Sequence, residues 1–372
     1  MQIKQLILKN FRSYDELAIP FQTRLIFFIG ENGAGKSNIL ESLSLLSFLK
    51  SFRGNPDEEL VNWSKDHFFI TASFFNGEDE HKLDYGFEKF PQKRKKIKLD
   101  GQVFKKQSEA YGIIPCIVLS PMDLEIVEGS HSERRKFIDS LLSFLNKSYL
   151  NDLTEYNKIL KQRNSSLKKE IYDQSLFETW NKMLADKDDS IRNSRLKFIR
   201  EFNEIFQKDL QLLSGERDQF QFLYKPNVNT RQEFESKIRE NFPKDLRVGY
   251  TTVGCHRDEI FIGSGERDIL QFASQGQRRS VVISLKTAAF TFLKRNLKTE
   301  PILLIDDVIR ELDVKRREFF VDLIRGCGQA FFTTTDLEGI QDYIGNLDEP
   351  RQIFQIVNGT VQDLSATNLG RV

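Results

Sequence analysis

Gly30, Gly35, Lys36 and Ser37 are spaced as G-x-x-x-x-G-K-[ST] within FIGENGAGKSNIL, residues 28–40, directly after the apolar run at 25–29. In such a loop the backbone N–H groups and the N-terminus of the following helix wrap phosphate. The lysine reaches the β and γ oxygens, and the next hydroxyl binds Mg²⁺. Gly30, Glu31, Asn32, Gly33, Ala34, Gly35, Lys36, Ser37 and Asn38 are therefore the expected cradle for ATP. A second apolar run, in PILLIDDVIRELD, ends in Asp306 and Asp307. A carboxylate at a strand edge beside a phosphate loop holds the hydration shell of Mg²⁺, which assigns Ser37 and Asp306 to the metal. Asp307 takes the place of the group that orients or deprotonates the attacking water. It is one methylene shorter than the Glu found there in many such sites, so hydrolysis is expected to be slow. Lys36 and Asp307 are the expected catalytic pair; the bland alternative for the two acids is N-capping at a strand-to-helix turn.

FASQGQRRSVV places Ser274, Gly276 and Gln277 at a helix start, a second anion-binding N-terminus with a hydroxyl and a close-approach glycine. One ATP already has its cradle in the first loop. The second is expected to cover a nucleotide held by another copy, so that two half-sites close head-to-tail about a two-fold axis. An ordinary Ser-capped helix is the alternative.

The elements that must position these groups read as sheet at both ends of the chain. Residues 2–8, LAIPF and RLIFFIG are strand-like. After Lys36, Ile39, Leu40, Leu43, Leu46 and Leu49 recur at three and four, which predicts a helix with one buried face. HFFITASFF, KLDYGFE and KIKLDGQVF predict an antiparallel subdomain, the last segment turning at Asp100–Gly101. From about 115 to 247 the pattern is helical, with Phe137, Ile138, Leu141, Leu142 and Leu145 on one stripe. Strand text resumes at RVGYTTVG and EIFIG; the helix from Ser274, the strand PILLIDD, a helix from Asp313 and the strand QAFFTTT follow. The expected architecture is α/β, a P-loop ATPase lobe in two parts (residues 1–114 and 248–372) around an inserted helical lobe (115–247), with no long coiled coil.

Bulk properties restrict the partners. A net charge of +1 gives no global pull toward polyanions, so nucleic-acid binding must come from local patches. The densest such patch carries Lys93, Arg94, Lys95, Lys96, Lys98, Lys105 and Lys106, which face either a phosphate backbone or solvent on a lysine-protected edge strand. Cys116, Cys255 and Cys327 form no C-x-x-C pair and read as buried, reduced thiols. No apolar run approaches the roughly 18 residues of a membrane span, and a cytosolic location is expected.

The order of these motifs resembles the ABC-type ATPase head shared by SMC and Rad50 proteins. More narrowly, LILKNFRSY (6–14), GENGAGKSNILESL (30–43), LSPMDLEIVEGSHSERRKFID (119–139), TTVGCHRDEI (251–260), SQGQRR (274–279), LLIDDVIRELD (303–313) and TTTD (333–336) resemble the RecF family nearly end to end. The resemblance implies an ATP-dependent DNA-binding clamp of repair, recombination and replication. Its ATP-bound homodimer would form on DNA without sequence preference, hydrolyse ATP slowly and support recombinase loading at gaps, with RecR and RecO as associates. It further implies that Arg12 approaches the nucleotide phosphates, that Ser274 and Gly276 contact the partner's nucleotide, and that Asp313 is an interface carboxylate. Cys255 stands where that family usually carries Pro, and the roles of His256 and Arg257 stay open. No Q-loop glutamine is legible. A transporter's nucleotide-binding subunit is the competing reading, but FFTTTD lacks its switch histidine; a small-molecule kinase gives no reason for the SQGQ helix.

Overall fold

A computed structural model describes residues 1–214, 219–265, 267–308, 314–336 and 349–364. The chain opens with strands β1 (Gln2–Phe11), β2 (Tyr14–Pro20) and β3 (Leu25–Ile29), then helices α1 (Lys36–Phe48) and α2 (Asp57–Leu60). Strands β4 (His67–Phe75), β5 (Glu80–Glu88), β6 (Arg94–Leu99), β7 (Gln102–Val103) and β8 (Cys116–Leu119) follow. A helical stretch comprises α3 (Leu124–Glu128), α4 (His131–Leu145), α5 (Lys147–Lys168) and α6 (Gln174–Ser214). After it come β9 (Gln221–Lys225), α7 (Arg231–Glu240), α8 (Phe242–Val248), β10 (Glu259–Ser264), β11 (Arg267–Asp268) and α9 (Gln275–Asn296). The chain closes with β12 (Ile302–Asp306), α10 (Val314–Arg325), β13 (Ala330–Thr334), β14 (Arg351–Val357) and β15 (Thr360–Asp363).

Two compact units result, one from residues 1–123 and 289–372, the other from 124–288. The first holds two six-stranded sheets, ordered β2-β1-β4-β5-β6-β7 and β15-β14-β3-β13-β12-β8. The second of these is parallel except at β15. Its strands β8, β12 and β13 are buried at every residue, and they read as apolar runs until Asp306 ends β12 and Thr333 and Thr334 end β13. Phe27 stacks on Phe332 at 4.5 Å and Phe21 meets Phe331 edge-on at 5.0 Å. Helix α1 packs against β8, β12 and β13 of one sheet and β4 of the other. It is consequently buried almost all round, rather than along the single face that its leucine spacing predicts. Two of its buried serines satisfy themselves on the preceding turn, Ser42 on the Ile39 carbonyl (2.7 Å) and Ser44 on that of Glu41 (2.8 Å). The Asp100–Gly101 turn has φ of 51° and 82°, the left-handed pair of a two-residue hairpin.

The second unit carries α3 to α8 and a three-stranded sheet, β11-β10-β9. Helix α6 runs 41 residues, about 60 Å at 1.5 Å per residue, against α5. Three local expectations fail here. Cys116–Leu119 is a strand of the parallel sheet, hidden from pattern reading because four apolar residues carry no period. Gln221–Lys225 is a strand inside the stretch expected to be helical. RVGYTTVG is not a strand: Arg247 and Val248 end α8, Gly249 closes it at φ 75°, and Thr251 and Thr252 bond to side chains instead. The sequence-based boundaries at 114/115 and 247/248 thus stand beside changes of unit at 123/124 and 288/289. No helix of the described residues is long and apolar enough to cross a membrane.

Candidate nucleotide site

Strand β3 delivers the loop to the carboxyl edge of the parallel sheet, where ligands of such sheets bind. At Gly30 an added Cβ would stand 2.3 Å from the Ile356 carbonyl, so β14 passes too close for any side chain. Gly35, at φ 112°, lies under Tyr14, whose hydroxyl donates to the Gly35 carbonyl at 3.1 Å. No side chain caps α1, so its first N–H groups stay available to an anion. Glu31, Asn32 and Gly33 are exposed on the loop, while Ala34, Ser37 and Asn38 are half-buried. Lys36 is 5% exposed, and its Nζ donates to the carbonyls of Gly30 (2.7 Å) and Glu31 (2.9 Å). Burial lowers the Lys36 pKa, opposed by the charges of Asp307 and Asp306.

Strand β13 separates β3 from β12 and brings Thr333 into register with Asp306. The Thr333 hydroxyl donates to Asp306 Oδ1 at 2.8 Å and accepts from the Asp307 N–H at 3.1 Å. Asp307 has φ 54°, a left-handed conformation that aspartate tolerates better than most residues. Its Oδ1 is buried without a hydrogen-bond partner among the described residues. Such an oxygen costs about 1–3 kcal/mol or more, so its retention beside a phosphate loop suits a group that waits for a water. Asp306 and the Ser37 hydroxyl offer the few hard oxygens that Mg²⁺ takes from protein when phosphate and water supply the rest. The donor set therefore fits Mg²⁺ with a nucleoside triphosphate, and the bound ion would supply charge neutralisation on the phosphates.

Sequence reading misses three contributors. Glu41 on α1 is fully buried and holds Arg12 bidentately, with Nε and a terminal nitrogen both at 2.9 Å. Arg12 also donates to Asn55 (2.8 Å) and the Glu59 carbonyl (3.1 Å), so its fork is committed to these groups. Arg53 lies 4.0 Å from Glu41, 3.3 Å from Asn38 Oδ1 and 3.7 Å from Asp306. Thr333 is the third. Glu41 lies within the GENGAGKSNILESL block and Thr333 opens TTTD without either being marked there as a site residue, and Arg53 stands outside these motifs.

Ser274, Gly276 and Gln277 lie at the start of α9, in the second unit. The Ser274 hydroxyl accepts from the Gln277 N–H at 3.2 Å and the Gln277 side chain accepts from the Ser274 N–H at 2.9 Å, a reciprocal capping box. Asp313 falls outside the described residues. His256 is a clasp in the second unit: Nε2 donates to the Thr251 carbonyl (3.0 Å) and Nδ1 accepts from the Tyr156 hydroxyl (2.7 Å). Burial, above other causes, pulls its pKa down to about 4. Arg257 donates to the same carbonyl at 3.1 Å and lies over the Tyr250 ring. Cys116, Cys255 and Cys327 are buried, and none forms a disulfide among the described residues.

The family described as RecF/RecN/SMC N terminal domain matches residues 2–360. A DNA replication and repair protein RecF of Leptospira interrogans serovar Lai is 48% identical over 364 residues, covering 98% of this chain and all of that one. The solved structure of the recombination mediator protein RecF-ATP in RecFOR pathway superposes with a TM-score of 0.88 at 29% identity, over 98% of this chain and 97% of that one. An SmcHead bound to the C-winged helix domain of ScpA shares the fold, with a TM-score of 0.55 at 17% identity over 98% of this chain and 97% of that one.

Proposed function

Because the chain belongs to the RecF family of DNA replication and repair proteins, we propose that it is an ATP-gated DNA clamp whose closed form is a head-to-tail homodimer. The observation that carries this reading is the conjunction of a buried phosphate-loop lysine with an unpartnered carboxylate oxygen on Asp307. In the proposed cycle the phosphate loop and the start of α1 bind the triphosphate of Mg-ATP, and Ser37 and Asp306 hold the ion. Asp307, with its backbone fixed by Thr333, orients the water. The capped start of α9, with Ser274, Gly276 and Gln277, covers the γ-phosphate in the other copy, and Asp313 joins the interface. Since ATP would bind the closed dimer better than the open monomer, it shifts the population toward the clamp, and slow hydrolysis releases it. The relative's place in a RecFOR pathway supports RecR and RecO as associates; gapped DNA as the setting for recombinase loading is the further step that the family resemblance implies.

The test is size-exclusion chromatography with and without ATP and Mg²⁺. The wild type is expected to move from monomer to dimer with ATP. Ser274→Arg is expected to bind ATP and stay monomeric, because the bulky cation blocks the γ-phosphate contact. Dimers that survive this substitution would remove the shared-site mechanism.

A further inference from the structure

The second unit holds a cleft of ≈ 250 Å³ that the proposed nucleotide cycle does not use. Helix α4 supplies Ser132, Arg135, Lys136 and Asp139 to it, positions that recur at three and four along one polar stripe. Phe137, Ile138, Leu141 and Leu142 of the same helix are buried and carry its apolar side. Leu153, Tyr156 and Asn157 form a matching stripe on α5, and Arg195 of α6 and His256 complete the lining.

Most of the polar groups here are already matched. Arg195, 2% exposed, donates twice to Asp139 and once to Asp258, each at 2.9 Å, and to the Cys255 carbonyl at 2.8 Å. Lys136 pairs with Glu133 at 2.7 Å. His256 spends both ring nitrogens on Thr251 and Tyr156. Arg135 differs: it is half-buried, one of its terminal nitrogens donates to the Asp258 carbonyl, and among the described residues no carboxylate pairs with it. Its other N–H groups, the Ser132 hydroxyl and the Asn157 amide likewise find no partner among the described residues. Burial lowers the Arg135 pKa and the like charge of Arg195 lowers it further, against Asp258 and Asp139. An anion here would relieve that repulsion.

An unpaired guanidinium flanked by a hydroxyl and an amide, with donors on two helices, calls for a ligand made of acceptors that point several ways. The cleft is smaller than the ~300–1,000 Å³ of ordinary small-molecule pockets, which leaves room for one oxyanion rather than a nucleotide. We propose that this cleft binds a small phosphate, free or as the ester of a small molecule, on Arg135, Ser132 and Asn157, with Lys136 beside them. The bound anion bridges α4 to α5 and so stabilises the second unit. This site and the clamp reading stand or fall separately.

The phosphate loop also attracts phosphate, so the test uses the full-length chain carrying Lys36→Ala, which weakens that competitor. Thermal unfolding is followed against inorganic phosphate and against glycerol phosphate, with ionic strength held constant by chloride. A saturable rise in melting temperature is expected, the tighter of the two ligands naming the source, and acetate is expected to give none. Adding Arg135→Gln, or Asn157→Asp at an exposed position of α5, is expected to weaken the fitted phosphate affinity about 10- to 150-fold, the range of a hydrogen bond to a charged group. Asn157→Asp leaves the bond from Arg135 to the Asp258 carbonyl in place, so it separates lost binding from lost folding. In the chain with Lys36 intact, both substitutions are expected to leave ATP and duplex DNA affinity unchanged. No saturable response to either phosphate, unchanged phosphate affinity in both variants, or an equal response to acetate would overturn the proposal. A parallel loss of DNA affinity would assign Arg135 to a nucleic-acid backbone and overturn it as well.

Discussion

Asp307 shows how one residue's environment differs from its motif. Its spacing after an apolar run marks it, but the left-handed backbone, the N–H held by Thr333 and the unpaired buried oxygen emerge only in three dimensions. Asp307→Asn keeps the shape and removes the basic oxygen. Turnover is expected to fall by about 10² or more, with the ATP-bound dimer accumulating on size exclusion; unchanged turnover would mean that another group positions the water. Lys36→Ala removes the cation proposed to reach phosphate, and calorimetric titration is expected to show ATP binding lost. The phosphate loop and the acid pair are legible because their chemistry demands fixed spacing. Arg12 is legible as an arginine and illegible in its engagement, since its partner Glu41 lies on another element.

At the level of elements, burial and length decide what pattern reading catches. The hairpin at Asp100–Gly101 is announced by its turn dipeptide. Helix α1 is found, but its second buried side is missed because serines there look solvent-facing. Strand β8 is too short for a period. The segment 251–258 looks extended, yet buried polar partners hold it: Asp188 takes the Cys255 N–H at 2.5 Å and Arg195 takes the Cys255 carbonyl at 2.8 Å. His256 in this clasp titrates near 4 when folded and near 6.5 when unfolded, so its contribution is present above about pH 6.5 and lost as pH falls toward 4. Asp188, pushed up to about 6 chiefly by burial, slopes the opposite way, and the wild-type profile is partly flattened. Comparing His256→Gln with the wild type isolates the histidine. In urea unfolding the variant's deficit at pH 7 is expected to shrink by roughly 2–3 kcal/mol on going to pH 4.5; a constant deficit would show that the imidazole is not held neutral.

Across the whole molecule, a net charge of +1 conceals a sorted surface. The lysine-rich stretch at 93–106 reads as one patch in sequence; folding splits it, sending Lys95 inward and leaving Arg94, Lys96 and Lys98 outward. Each phosphate of duplex DNA neutralised steepens the log–log salt dependence by about 0.9, so Lys96→Ala with Lys98→Ala is expected to flatten the slope for duplex DNA by about 2. Affinity is expected to be higher with ATP or a non-hydrolysable analogue than with ADP, and equal affinities would separate DNA binding from the nucleotide cycle.

The buried carboxylate of Glu41 serves two cations that belong to different neighbourhoods, Arg12 at the β1–β2 turn and Arg53 beside Asp306. It is a shared joint: a load on the rim of the antiparallel sheet would reach, through this carboxylate, the helix that begins at Lys36. A sheet deformed by cargo and a pocket tightened by fuel would then strain the same joint.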